Sequence, residues 1–310
     1  MSSTAGSGVA EIRVVCGPTA AGKSALAMAI AERVPVAILS ADSRQVYRGF
    51  DIGTAKPTAP DRARVPHFGI DVVDPTSRFT AADWAGAVPG WIDASEALGR
   101  VPLVVGGTGF YLRALVQPLF AEPALDPERR DRLRAYLGRL DAMTVRRWCE
   151  ALDPGRATLG RVQWERAIEV ALLSGRRISE LHASGSRAPR VTARYLVVDP
   201  GRSLAERMTS RVDAMLAAGW LDEVRELSRR VPGTAAAWSA TGYEALRDVV
   251  AGTRSLADAT GELVVRTRQY AKRQRTWFRH QLSGERVTRL DPAAPDAIDR
   301  ALSWFHGEES

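Results

Sequence analysis

Residues 17–24 read GPTAAGKS and fit G-x-x-x-x-G-K-[ST] at every defined position. Gly17 and Gly22 permit tight backbone turns, so loop N–H groups and the start of the following helix can point at one anion. Lys23 adds a compact positive charge, and Ser24 offers a hydroxyl ligand to Mg²⁺. The chemistry is phosphate binding. The loop alone does not separate a triphosphate from a pyrophosphate, so the phosphate is a fuel, a substrate or a leaving group.

An NTPase with such a loop usually holds its metal with a second acid at a strand end. Here VPLVV at 101–105 runs into Gly106, Gly107 and Thr108, with no acid. VAILS at 36–40 runs into ADSRQ, which makes Asp42 the obvious acid at a strand terminus near the loop. It suits a metal site or a general base; a turn-capping Asp is the plainer alternative. In GGTGFYL two glycines let backbone approach a ligand, and Thr108 can donate to an oxyanion or cap a helix. His67, His182, His280 and His306 are scattered and suggest neither a metal site nor a triad.

A third chemistry-bearing stretch is TRQYAKRQRTWFR at 267–279. Arg268, Lys272, Arg275 and Arg279 follow at i, i+4, i+7 and i+11, one narrow stripe on a helix. Tyr270 and Trp277 fall opposite and are expected to pack inward. No acid interleaves the stripe, so its repulsion goes uncompensated, which favours a phosphodiester partner over a solvated face. Only three residues are lysine, Lys23, Lys56 and Lys272, against 40 arginines. Such a bias can reserve lysine for places that need a compact ammonium.

The elements that must position these residues are legible from hydrophobic pattern. IRVVC at 12–16, the loop and ALAMAIAERV read as strand, loop, helix. VAILS, VPLVV and YLVVD at 195–199 add three strands with helical patterns between, a parallel sheet with crossover helices. ERRDRLRAYLGRL puts Leu133, Leu137 and Leu140 on one helical face, and QWERAIEVALLSGRR is another helix. SGSRAP at 184–189 reads as a return linker. Leu204, Met208, Val212, Met215 and Leu216 line a further helix ended by Gly219, and 256–281 form a long one. The expected fold is α/β, a P-loop NTPase-like parallel sheet flanked by helices with a mainly helical insertion domain. Its parts are a disordered leader at 1–10, a core at 11–120 and 191–310, and the insertion at 121–190.

Composition bounds the class. With 310 residues, 45% hydrophobic and 25% charged, the chain is an ordinary globular one. No apolar run is long enough to span a bilayer, and the first residues lack a secretory signal. Cys16 and Cys149 are too few for a disulfide framework, which fits a reducing cytoplasm. The net charge of +7 favours a polyanionic partner.

Together these segments resemble the tRNA dimethylallyltransferases, or tRNA isopentenyltransferases. The resemblance rests on GPTAAGKSALA, SADSRQVYRGFDIGTAKPT, HFGIDVVDP, PLVVGGTGFYLRAL, RAIEVALLSGR, RVDAMLAAGWLDEV, and GYEAL followed by TRQYAKRQRTWFR, and covers nearly the whole chain. It implies transfer of a dimethylallyl group from dimethylallyl diphosphate to N6 of adenosine 37 in tRNA. The loop of Gly17, Pro18, Thr19, Ala20, Ala21, Gly22, Lys23 and Ser24 would then grip the pyrophosphate with Mg²⁺, as a leaving group. The resemblance makes Asp42 the base, gives Thr19 and Thr108 positioning roles, and sets Arg211 on the pyrophosphate. It implies tRNA contacts from Asp42, Ser43, Arg44, Gln45 and Thr108, from Arg130 in the insertion, and from Gln163 and Arg166. It adds Gly242 and Tyr243, then Lys272, Arg273, Gln274, Arg275, Trp277 and Arg279. The partners are the tRNA anticodon stem-loop and dimethylallyl diphosphate, with no membrane, and the chain is expected to be a cytoplasmic monomer. One segment departs: LGRVQW carries Gln163 where the family has an additional Arg.

Three other readings share features. A nucleotide or small-molecule kinase shares the loop, Mg²⁺ and sheet, but leaves the basic stripe and GGTGFYL unexplained. A prenyltransferase for free adenine nucleotides has no use for the Arg-rich insertion. An RNA-binding switch protein would make Asp42 and Thr108 structural.

Overall fold

The computed structural model describes residues 10–117, 123–184 and 191–308. Of the expected leader only Ala10 lies among these, where it opens the first strand; most of the linker, from 185, and residues 118–122, where the expected core meets the insertion, lie outside them. In chain order the elements are β1 (Ala10–Cys16), α1 (Lys23–Ala31), β2 (Val36–Ala41), α2 (Ala59–Arg64), β3 (His67–Phe68), α3 (Ala81–Ala97), β4 (Val101–Gly106) and α4 (Gly109–Val116). Then follow α5 (Pro127–Leu137), α6 (Ala142–Leu152), α7 (Arg161–Ser174) and α8 (Ile178–Ser184). The chain continues with β5 (Val191–Val198), α9 (Leu204–Ala217), α10 (Trp220–Arg230), α11 (Tyr243–Val250), α12 (Leu256–Gln281), β6 (Val287–Leu290) and α13 (Ala297–His306).

The six strands form one parallel sheet in the order β3-β2-β4-β1-β5-β6. All four strands read from the sequence are in it, including the late one, β5, which pairs with β1 from Ala10–Val191 to Cys16–Val197. Strands covered on both faces carry unbroken apolar runs: Val14, Val15 and Cys16 in β1 and Leu103 and Val104 in β4 are buried. The chain passes from β1 over to β2 and returns through β4 to lie between them. The loops after β1, β4 and β2 therefore emerge side by side at one sheet edge, where open α/β sheets bind ligands.

The described residues divide into two compact units, residues 10–116 with 191–308, and residue 117 with 123–184. The second unit is helical, α5 to α8, around Leu137, Val145, Cys149, Ile168 and Leu181. Leu133, on α5, packs against that core as its helical spacing with Leu137 requires; Leu140 also packs there but lies beyond the end of the helix, which stops at Leu137. No helix among the described residues is long and apolar enough to cross a membrane.

Lys56 has a structural place that its rarity did not reveal. Its side chain is 1% exposed, and its ammonium donates to Tyr47 O at 2.6 Å, to Asp51 Oδ1 at 2.6 Å and to Asp71 Oδ1. Those three bonds use all its donors and lock the long loop after β2. Burial pushes the Asp71 carboxyl up, but Lys56 and Arg62 outweigh it and hold the group below its usual range. That stabilisation is fully present above the ordinary Asp pKa and is lost as pH falls through the lower folded value. Replacing Lys56 with Met takes the shared ammonium from Asp51 and Asp71 and leaves Asp71 with Arg62 alone. Because both carboxylates are partly exposed, the expected loss is about 2–3 kcal/mol in denaturant unfolding, below the range for fully buried pairs.

Candidate active site

The glycine loop leaves β1 at Gly17, whose φ is +149°. A Cβ there would lie 2.1 Å from Val198 O, so the turn admits only glycine. Gly22, at φ +94°, precedes α1 and gives it no side-chain cap. The first helical N–H groups are thus left for an anion. Lys23 reaches back over the loop and donates to Pro18 O at 2.7 Å. Burial, then the Arg211 guanidinium, pushes its ammonium pKa down to about 8, while Asp42 pulls the other way. Arg211, on α9, is also lowered by burial and supported by Asp42. Two cations and one carboxylate therefore share a low-dielectric space with net positive charge.

Asp42 directly follows β2. Its Oδ1 accepts the Arg44 N–H at 2.8 Å, an Asx turn that fixes the carboxylate and leaves Oδ2 available. Thr108 accepts the Ser43 N–H at 3.1 Å, and the Tyr270 hydroxyl from α12 stands beside it. Burial and the nearby Asp42 push Tyr270 up to about 12, so its hydroxyl stays protonated.

Two cavities meet here. One, of about 370 Å³, is lined by Lys23 and Ser24 and by Met28, Ile38 and Ile70. The other, of about 640 Å³, is lined by Phe110, Trp220, Trp277 and Phe278, with Arg44 and Arg273 among its polar groups. Both are bordered by Thr19, Asp42, Thr54, Gly107, Arg211, Tyr270 and Gln274. One side is thus a cationic phosphate cradle and the other an aromatic chamber, and the carboxylate stands at their junction.

Among described residues no cluster of His, Cys, Asp or Glu could by itself hold a metal. The donor set suits Mg²⁺ bound mostly through a ligand's phosphates and water, with Ser24 supplying one oxygen. Ser24 is exposed and borders the smaller cavity beside Lys23, which fits that use.

The other predicted residues divide. Ser43, Arg44, Thr108, Arg273 and Trp277 line the larger cavity, and Lys272 and Arg279 are exposed on α12. Tyr243 and Gly242 are buried: the Tyr243 hydroxyl donates to Glu223 at 2.6 Å, and Gly242 lies against Trp220. They support the chamber rather than face a macromolecule; their segment reaches it through Ser239, Ala240 and Thr241. Gln45 is tied inward as well, accepting from Ser40 Oγ at 2.8 Å and donating to Ala55 O at 2.9 Å. Gln274 is 7% exposed and bonded at both ends of its amide. Arg275 is ion-paired with Asp199, an acid that reaches the stripe from beyond β5, so the repulsion there is compensated.

In the insertion unit, Arg130 and Arg166 converge on Glu169, each at 2.9 Å, joined by Arg134. Burial alone would raise Glu169; the three guanidiniums hold it below its usual range. Gln163 is exposed on the first turn of α7.

Sequence reasoning missed Phe110. It lines the larger cavity while 56% exposed, on a helix whose neighbours Tyr111 and Leu112 are buried. An aromatic inside GGTGFYL, next to a candidate ligand loop, was the available signal.

Residues 45–281 match the family model described as IPP transferase, and residues 10–64 a second described as isopentenyl transferase. The chain is 43% identical over 274 residues to a tRNA dimethylallyltransferase of Anaeromyxobacter sp., covering 86% of this chain and 90% of that protein. It is 44% identical over 276 residues to one from Gloeobacter violaceus, covering 87% and 89%. Among solved structures it resembles the tRNA isopentenylpyrophosphate transferase of Bacillus halodurans, with TM-score 0.68, 31% identity and 97% of each chain covered. A eukaryotic dimethylallyltransferase acting on tRNA shares the fold, with TM-score 0.79 and 23% identity over 97% of this chain and 80% of that one.

Proposed function

The chain belongs to the IPP transferase family, and from that premise we infer that it is a tRNA dimethylallyltransferase. It transfers a dimethylallyl group from dimethylallyl diphosphate to N6 of adenosine 37, giving N6-(dimethylallyl)adenosine and diphosphate. The observation that carries this reading is the junction of the two cavities at Asp42, Thr19, Arg211 and Tyr270. An allylic diphosphate fits the cationic side and a nucleobase the aromatic side, so the two reacting atoms meet beside a fixed carboxylate.

In the reaction N6 of the adenine forms a bond to C1 of the allyl group, and the bond from C1 to the diphosphate oxygen breaks. The leaving group carries the electron pair away. Lys23, Arg211 and the amides at the start of α1 hold that charge in a space where it is poorly screened. The exocyclic amine is a weak nucleophile, so its proton must be taken as the bond forms; Asp42 takes it. The Asx turn aims that carboxylate before substrate arrives. Tyr270 and Thr108 fix the wall next to it. Mg²⁺ would be held by Ser24 and the diphosphate, and would supply further charge neutralisation to the leaving group.

The adenine must leave its stack to enter a chamber of this kind. Phe110, Trp277 and Tyr270 line that chamber. The partner is the anticodon stem-loop of tRNA, met by the exposed cations of α12 and, in the insertion, by the arginines gathered on Glu169. The same reading makes the chain a cytoplasmic monomer.

Diphosphate release tests the reading directly. It is expected only when dimethylallyl diphosphate and unmodified tRNA are both present; release that needs neither tRNA nor the allyl compound opposes it. The RNA-facing side has its own test. Lys272→Ala combined with Arg279→Ala removes two exposed cations. Tight binding should weaken and the log–log salt slope should flatten by about 1–2, at roughly 0.7–0.9 per phosphate contact. An unchanged slope makes that face of α12 a solvated one.

A further inference from the structure

Gln274 is a polar side chain on the buried face of α12, between the apolar Ala271 and Phe278. It sits on α12 between residues that point outward, Lys272 and Arg273 before it and Thr276 after it, yet is itself buried. Its Oε1 accepts the Thr19 N–H at 2.8 Å, and its Nε2 donates to Gly107 O at 2.8 Å. These partners lie 255 and 167 residues away in sequence, one in each glycine loop. The loops are pressed together at this point. A Cβ on Gly107 would stand 2.5 Å from Gln274 Nε2 and 3.0 Å from Gly17 O.

The Thr19 N–H belongs to the same planar peptide unit as the Pro18 C=O. In a trans peptide the two groups point in opposite directions. The Pro18 oxygen accepts from Lys23 Nζ at 2.7 Å. Gln274 thus holds one edge of a rigid plate whose other edge holds the ammonium. This takes an uncharged side chain that accepts at one end and donates at the other. A carboxylate would set its charge against the Gly107 carbonyl, and an apolar side chain would take the partner from a partly buried N–H and from a buried C=O.

We infer that Gln274 is a positioning residue for the transfer. It fixes the Pro18–Thr19 peptide, and through it Lys23, against the Gly107 loop, so that both loops present one cradle to the diphosphate. This rests on the reading that those loops hold diphosphate. It differs from the tRNA contact that the sequence suggests for the same residue.

The test compares full-length wild type, Gln274→Met and Gln274→Glu in direct binding of inorganic diphosphate with Mg²⁺, in tRNA binding and in turnover. Gln274→Met should weaken diphosphate binding and lower kcat about tenfold or more, as expected for loss of a preorganised cradle. Its tRNA affinity and salt slope should match wild type. Gln274→Glu keeps the acceptor and loses the donor. As pH is lowered its carboxyl protonates and can again donate to Gly107 O, so diphosphate affinity should recover towards wild type, with no such recovery in wild type itself. That acid rescue reads the hydrogen-bond pattern even where Gln274→Met folds poorly. Wild-type diphosphate binding and kcat in Gln274→Met overturn the inference. So does a Gln274→Met that loses tRNA affinity alone, or a Gln274→Glu whose deficit is the same at every pH. A wild-type protein that fails to bind diphosphate at all contradicts the underlying reading of the loops and takes this inference with it.

Discussion

Asp42→Asn should leave a folded protein that binds both substrates and transfers about 10²- to 10⁴-fold more slowly, the usual contribution of a general base. The amide oxygen of Asn can still accept the Arg44 N–H that Asp42 now accepts at 2.8 Å, so the turn after β2 survives. What disappears is the basic oxygen that receives the N6 proton, needed only as the C–N bond forms. The loss should therefore fall on kcat, with KM for either substrate little changed. A second readout is specific to the electrostatics. Asp42 raises the pKa of Lys23, which burial and Arg211 hold near about 8. Removing the carboxylate should move the alkaline limb of diphosphate binding to lower pH. Turnover within about threefold of wild type would return Asp42 to a turn-capping role.

Lys23→Met should have an opposite pair of effects on function and stability. Lys23 lies over the loop with its ammonium on the Pro18 carbonyl, and no acid is hydrogen-bonded to it. Removing it should weaken diphosphate binding at least about a hundredfold, comparable to losing one donor to a developing anion. The same change should raise stability. The folded pKa, about 8, lies below the ordinary value of 10.5. Between these the unfolded chain holds the proton more tightly, so wild-type stability rises with pH across that window, and below it the full cost of the buried charge is present. Met removes that cost, so at neutral pH Lys23→Met should unfold at a higher temperature and lose the rise above pH 8. In wild type, diphosphate affinity should be level below about pH 8 and fall above it as the ammonium deprotonates. Equal affinity in Lys23→Met and wild type would remove Lys23 from the cradle. A lower melting temperature would contradict the burial argument.

Much of this architecture is legible in the chain because it is local. A strand segment buried on both faces writes a short apolar run, as residues 14–16 in β1, 36–39 in β2, 103–105 in β4 and 195–198 in β5 do. The phosphate loop is a run of eight residues whose glycines answer to one turn and one close approach. The long helix is read at 256–281 and is found as Leu256–Gln281 because its pattern is sustained over 26 residues. The strands β3 and β6, of two and four residues, are too short to write a pattern at all.

The site is less legible where it depends on partners distant in sequence. The stripe on α12 reads as four uncompensated cations, yet Asp199 reaches Arg275 from 76 residues away. Gln274 sits among Lys272, Arg273 and Arg275 and reads as part of the same RNA-facing run. Only the packing of two glycine loops against α12 shows that its amide is turned inward. The resemblance sets Tyr243 among the tRNA contacts, and the structure makes it a core side chain among Phe50, Trp220 and Trp238. Lys56 is conspicuous as one of three lysines, but its three acceptors lie up to 15 residues from it and along a loop with no periodicity.

The central claim is that the phosphate held by GPTAAGKS is a leaving group and that Asp42 sits where an adenine amine meets an allylic carbon. The most direct test is mass spectrometry of nucleosides from unmodified tRNA incubated with the purified protein, Mg²⁺ and dimethylallyl diphosphate, with ATP replacing the allyl compound in parallel. The account predicts adenosine heavier by one dimethylallyl group at position 37, formed only with the allylic diphosphate and lost in Asp42→Asn. Unchanged adenosine in that reaction, with ATP consumed in the parallel one, would contradict it and make the loop the cradle of a phosphoryl donor.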